Sequence, residues 1–206
     1  MSDPLPLHAA VEGITDEAVL RRLLAHLGGN LTAVHCQNGK PALLRRLPHY
    51  NQAARHAPWI VLLDLDRDAD CAPAFLEARL PSPAPLMCLR IAVRAVEAWL
   101  LADALPLASF LSVSPSRIPS DPDALEDPKR VMVDLARASR RRPIRQDMVP
   151  RPTSGRPVGP AYASRLIEFT RQHWRPDQAA RRSESLRRAI SALTRLLQAN
   201  PEGRRT

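Results

Sequence analysis

An α/β fold is expected from this sequence: a mostly parallel sheet flanked by helices, with a helical C-terminal portion. Three features point to it. Short apolar runs alternate with helical patterns over residues 1–105. The clearest of these runs, 59–65, is continuous and apolar, as a strand covered on both faces must be, and too short to span a membrane. After about residue 105 the composition shifts to proline-punctuated helical patterns without strand-like alternation.

Taken in order, Leu5, Leu7, Ala9 and Val11 alternate up to Glu12 and predict the first strand. Thr15 or Asp16 would cap a helix carrying Val19, Leu20, Leu23, Leu24 and Leu27 on one face, stopped by Gly28 and Gly29. A second strand is predicted at 31–36, a helix at 41–56 with a break invited by Pro48, and a third strand at 59–65. A helix at 72–80, a fourth strand at 86–93 and a helix through AVEAWLLAD complete the α/β part. Beyond the turn-rich SVSPSRIPSDPD, a helix is expected at 127–139. Residues 140–160, rich in proline and arginine and aperiodic, predict a mobile loop. The next helix, 161–174, would place Tyr162, Leu166, Phe169 and His173 on one face. The last, 183–198, would present Leu186, Ile190, Leu193 and Leu197, before a polar tail at 202–206.

At 206 residues the chain is expected to form a core unit, 1–105, and a helical C-terminal portion, 106–206. With 45% hydrophobic residues it can bury a real core. No apolar run approaches the ~20 residues that cross a bilayer, and the N-terminus lacks a signal-like pattern, so a cytoplasmic protein is expected. Cys36, Cys71 and Cys88 form no CxxC pair, which argues for reduced thiols and against zinc. The formal charge of +9 comes almost wholly from arginine; Lys40 and Lys129 are the only lysines. Such a chain favours a polyanionic partner.

Against that charge stands PWIVLLDLDRDAD, in which Asp64, Asp66, Asp68 and Asp70 close an apolar strand. Alternate strand residues share a face, so Asp64 and Asp66 point together if the strand persists. In open α/β sheets, ligands lie beyond the carboxyl ends of the strands. Glu12 ends the first strand, and Glu97 opens the helix after the fourth. Carboxylates that converge raise one another's pKa and are tolerated beside a divalent cation, for which hard oxygens suit Mg²⁺ or Mn²⁺. Each piece has a bland reading. Asp68 and Asp70 cap or solvate, Asp16 caps, Glu97 answers a helix dipole and Lys129 is a surface lysine. Their joint placement carries the argument.

These residues resemble the Toprim superfamily, whose pattern is an apolar strand ending in Glu-Gly and a later strand ending in DxD. Here AAVEG supplies Glu12 and Gly13, and IVLLDLD supplies Asp64 and Asp66. The resemblance implies a Toprim-like sheet and Mg²⁺-dependent cleavage or joining of nucleic-acid phosphodiester bonds. It implies Glu12 as general acid or base and Asp64 and Asp66 as metal ligands. VEGITDEAVL is most similar to the OLD-type nuclease branch, which implies a metal role for Asp16 and a basic residue beside the metal, for which Lys129 is the candidate. RIAVRAVEAWLLAD and PAYASRLIEFTRQHW resemble small bacterial Toprim-like proteins found beside an ATPase in settings suggestive of phage defence. There the position of Glu97 looks like part of the acidic site, and a partner ATPase is implied. Two departures stand out. DxD is followed by Arg67-Asp68 without a glycine, and no tyrosine sits in a topoisomerase context, Tyr50 reading as a helix position and Tyr162 as core-facing.

The expected activity is therefore a metal-dependent nuclease, with DNA ahead of RNA as substrate. A basic track of Arg140, Arg141, Arg142, Arg145, Arg151 and Arg156 would hold the backbone. The alternative is a non-catalytic Toprim-like scaffold that binds a partner ATPase or nucleic acid. A phosphatase using LLDLDRD as its nucleophile motif is disfavoured, because that motif belongs on a first strand. Either activity could involve an oligomer. His35 and His49 read as surface or packing residues, Trp99 and Trp174 as core, and the pairs Arg181-Arg182 and Arg187-Arg188 as solvated faces.

Overall fold

The computed structural model describes residues 6–68 and 71–199; Leu5, Asp70 and the tail at 202–206 lie outside the described residues. Four strands form one parallel sheet: β1 (His8–Val11), β2 (Ala33–Cys36), β3 (Trp59–Asp64) and β4 (Met87–Ala92), in the order β2-β1-β3-β4. The register pairs His8 with Trp59 and Val11 with Leu62, and carries Asp64 opposite Ala92. The fold is α/β, with helices on both faces of the sheet and a run of C-terminal helices.

The sequence of β3 explains its central place. Ile60 and Leu62 enter one core, and Trp59, Val61 and Leu63 enter the other, so the two-residue period serves two cores at once. The second core holds α2 (Lys40–Ala53) and α3 (Ala72–Arg79) through Leu43, Leu47, Tyr50 and Phe75. The first core is larger. It joins α1 (Ile14–His26), α4 (Val96–Ala102) and α5 (Ala104–Leu111) to α6 (Pro128–Arg137), α7 (Arg142–Met148), α8 (Tyr162–Gln172), α9 (Pro176–Ala179) and α10 (Glu184–Ala199). The C-terminal helices therefore share a core with the sheet rather than enclosing one of their own.

Trp99 and Trp174, both fully buried as expected, key this core together. The Trp174 indole donates to the Trp99 carbonyl at 3.1 Å, and the Trp99 indole donates to Ser185 Oγ at 2.7 Å. Each ring thus buries its apolar body without orphaning its N–H.

Several expectations need correction. Helix α1 starts at Ile14 with Gly13 as N-cap, so neither Thr15 nor Asp16 caps it; Asp16 lies at the third helical position, and its Oδ2 accepts the Gly13 N–H at 2.7 Å. Helix α2 runs unbroken through Pro48. A helical proline costs ~3 kcal/mol, and burial of Leu43, Leu47 and Tyr50 outweighs it. Residues 140–160 are not wholly loop. Pro143 sits in the first turn of α7, where its missing N–H costs no helical bond, and Ile144 and Met148, four apart, are fully buried. The segment after α7 is pinned back on it, the Gly159 and Ala161 N–H groups donating to Met148 and Asp147 carbonyls at 3.0 and 2.9 Å. His173 lies past the end of α8 and is exposed, because the chain turns there and Trp174 takes the inward position. Arg182 is no solvated face; it donates to the Ala102 and Ser120 carbonyls at 3.3 and 3.1 Å. Among the described residues no helix is long and apolar enough to cross a membrane.

Candidate active site

The order β2-β1-β3-β4 makes the gap between β1 and β3 the point where successive crossovers diverge, which is where open α/β sheets hold ligands. Glu12 follows directly on β1, and Asp64 is the last residue of β3. Glu12 Oε1 accepts the Asp64 backbone N–H at 2.9 Å, so the Glu12 side chain is tied across the crevice to the end of β3. Asp64 Oδ1 in turn accepts the Val96 N–H at 2.9 Å, bringing the N-terminus of α4 onto the same point. That places Glu97 in the first turn of α4, only 3% exposed.

Glu97 is unevenly served. Its Oε1 accepts the Tyr162 hydroxyl at 3.2 Å and faces Lys129 Nζ at 3.9 Å. Among the described residues its Oε2, which is buried, has no hydrogen-bond partner. An unpaired buried charged oxygen is expensive, and such an atom points to a missing cation or donor. Asp16, from the first turn of α1, is buried beside the same group.

The electrostatics agree. Burial, and then the charges of Asp16, Glu97, Glu12 and Asp66, hold the Asp64 carboxyl well above the usual range. Burial first, then Glu12 and Glu97, pushes Asp16 up to about 7. Glu12 is also raised, burial outweighing the Asp64 N–H and the Lys40 charge that pull it down. Lys129 is raised, chiefly by Glu97. Tyr162 is held well above its ordinary value by burial and then by the Glu97 charge. Four carboxylates therefore share one poorly solvated place.

Asp66 and Asp68 stand apart from that group. Asp66 adopts a left-handed conformation with φ 51° just past the strand, and its side chain is 56% exposed. Lys40 Nζ donates to Asp66 Oδ2 at 2.6 Å and to Asp68 Oδ2 at 2.8 Å. Arg94 donates to the Asp66 carbonyl at 2.9 Å. The DxD pair thus splits, Asp64 facing inward and Asp66 outward onto a lysine.

The donor chemistry fits a hard divalent cation: Glu12, Asp16, Asp64 and Glu97 offer carboxylate oxygens only, with one of them unpartnered. Among the described residues, however, no group of three or more His, Cys, Asp or Glu side chains is placed so that it could hold a metal ion. His35 serves elsewhere, stacked on Trp59 with ring centroids 5.4 Å apart, and His49 is exposed.

A groove leads away from the acidic site. Its first part, about 430 Å³, is of mixed charge, with Asp66, Asp68, Glu126 and Asp127 beside Arg67, Arg94 and Lys129. Asp127 and Lys129 also line the next part, with Arg130 and Arg137 of α6 and the Asp134 carboxylate that pairs with both. Arg137 and Pro150 pass into a cleft of about 730 Å³ whose other basic residues are Arg142, Arg145 and Arg151. Arg151 and Pro160 continue it to Arg156. Of the arginines expected to form a basic track, Arg142, Arg145, Arg151 and Arg156 line this groove. Arg140 and Arg141 lie off it, the latter donating to the Phe110 carbonyl at 3.3 Å.

Sequence reasoning misses Lys40, Arg130 and Arg137, and it reads Tyr162 as core without its bond to Glu97. Lys40 carries one signal, being one of two lysines in an arginine-rich chain. The α6 arginines carry none, since exposed helix arginines are common. Compared with family models, curated proteins and solved structures, the chain gives no match to any of them.

Proposed function

We propose that the chain is a divalent-metal-dependent nuclease of the Toprim kind, acting on phosphodiester bonds of DNA or RNA. The observation that carries this reading is the gathering of Glu12, Asp16, Asp64 and Glu97 at the β1/β3 crevice, with an arginine-lined cleft farther along the same side. Glu12, Asp64 and Glu97 would hold Mg²⁺ or Mn²⁺, with Asp16 beside them. The ion, when bound, supplies Lewis acidity to a phosphoryl oxygen and a more acidic water. Glu12, whose pKa burial raises, would take or return the proton as general acid or base. Lys129, held beside Glu97, would balance charge developing on the phosphate. Arg137, Arg142, Arg145 and Arg151 would hold flanking phosphates, orienting the chain for attack.

A neighbouring ATPase as partner, and a role in phage defence, extend the same reading through the resemblance of RIAVRAVEAWLLAD and PAYASRLIEFTRQHW. One observation favours a second reading, a non-catalytic scaffold for nucleic acid or that ATPase: no group of three or more carboxylates among the described residues is placed so that it could hold a metal ion. The deciding experiment incubates purified protein with Mg²⁺ or Mn²⁺ and single- and double-stranded DNA and RNA, alone and with the ATPase. Cleavage lost in Asp64→Ala supports the nuclease. No cleavage under any condition, with Asp64→Ala retaining full biological activity, establishes the scaffold instead.

A further inference from the structure

Lys40 and Lys129 are the only lysines among 30 basic residues; Lys129 faces Glu97 of the inner carboxylates, and Lys40 pairs with Asp66 and Asp68 at their rim. Arginine carries the positive charge everywhere else in the chain. An ammonium is a compact point charge with three donors, whereas a guanidinium is a planar fork. A single ammonium nitrogen meets both Asp66 and Asp68, as a small metal ion would, whereas the Arg165 guanidinium reaches Asp147 and Glu168 through different nitrogens.

The placement of Lys40 is built rather than incidental. Its side chain is 9% exposed, although both of its carboxylate partners are largely in solvent. It opens α2 immediately after Gly39, whose φ of 110° favours glycine there, and the Gly39 N–H donates to the Glu12 carbonyl at 3.1 Å. One joint therefore sets both Glu12 and Lys40. On the other side, Asp66 is held in its left-handed turn by its own N–H, which donates to the Arg94 carbonyl at 2.7 Å. The Lys40 ammonium then bridges Asp66 and Asp68 at 2.6 and 2.8 Å. Exposed ion pairs contribute little to stability, typically ~0–1 kcal/mol. A buried lysine stem committed to two exposed aspartates at the rim of a carboxylate site is hard to explain as surface stabilisation.

We propose that Lys40 is a permanent cation of this site: its ammonium occupies the place a second divalent ion would take at Asp66 and Asp68, so the inner carboxylates Glu12, Asp64 and Glu97 take a single ion. The unpartnered, buried Glu97 Oε2 marks the inner position as the one still short of a cation. Lys40 is a positioning residue here, since it holds the outer aspartates and balances their charge. The inference rests on the metal reading of the site.

Calorimetric titration of the full chain with Mn²⁺, checked by the electron paramagnetic resonance of free Mn²⁺, counts the ions without any substrate. Wild type should bind one ion, and Lys40→Met should bind one more than wild type. Equal, non-zero counts in the two proteins, or two ions in wild type, overturn the role of Lys40 and leave the metal reading standing. No ion in either protein overturns both. If Lys40→Met does not fold, Asp66→Asn/Asp68→Asn serves in its place. Retention of the single ion there supports the proposal, and its loss overturns it.

Discussion

Glu12 Oε1 accepts the backbone N–H of Asp64 at 2.9 Å, so the end of one central strand holds the end of the other. The bond orients Glu12 and brings its charge beside Asp64, Asp16 and Glu97. The structure thereby keeps like charges together, at a cost that varies with pH and that a cation would offset.

That cost is measurable. Asp16 and Asp64 have pKa values raised in the folded chain, Asp16 to about 7; in the unfolded chain an aspartate titrates near ~3.9. The folded state therefore keeps protons that the unfolded state releases. Stability from these groups is fully present below ~4 and is lost as pH rises toward about 7. In EDTA, Tm should fall between pH 5 and pH 8. Asp16→Asn, which retains an acceptor for the Gly13 N–H, should flatten that slope, at about 1.4 kcal/mol per pKa unit removed. A Tm independent of pH in wild type contradicts this account.

Tyr162→Phe removes the hydroxyl that donates to Glu97 and leaves a second oxygen of this buried carboxylate short of a hydrogen bond among the described residues. The expected loss is about 1–3 kcal/mol, a drop in Tm of several degrees. Added Mn²⁺ should recover part of it, because the ion would satisfy Glu97. Thermal melts with and without Mn²⁺ check both points.

The groove makes a different kind of prediction. Arg142→Glu/Arg151→Glu should weaken DNA or RNA binding and lower the slope of log K against log salt by about 0.9 for each duplex phosphate that the variant no longer neutralises. Arg187→Glu, on α10 and paired with Glu184, should leave that slope unchanged. Fluorescence anisotropy over a salt series distinguishes them.

Gly159 lies where a side chain cannot. A Cβ there would stand 2.4 Å from the Asp147 carbonyl oxygen and 2.5 Å from the Met148 carbonyl carbon. Gly159→Ala must push the segment off α7, costing about 1–3 kcal/mol or more. Chain flanking Arg151 and Arg156 should then become a preferred site of limited proteolysis.

The α/β class, the four strands and the two acidic strand ends are legible in the sequence because each rests on local pattern. A continuous apolar run such as Trp59–Leu63 has few other uses, and the chain direction of a parallel sheet carries Glu12 and Asp64 to the same edge. Helix α7 is hidden by Pro143 and its neighbouring arginines, since its apolar pair, Ile144 and Met148, is too short a period to read alone. The joint at Gly13 and Asp16 is open to misreading because an aspartate near a helix start serves equally as cap or as third residue.

The strands and the carboxylates at their ends follow from amino-acid order alone, because side-chain period and strand direction are properties of neighbouring residues. Folding in three dimensions was needed to bridge Asp66 and Asp68 through Lys40, to carry Tyr162 to Glu97, and to line one groove with arginines of α6, α7 and the segment after them. Those pairings join residues far apart in the chain, and their geometry depends on how helices pack on the sheet, which no local pattern encodes.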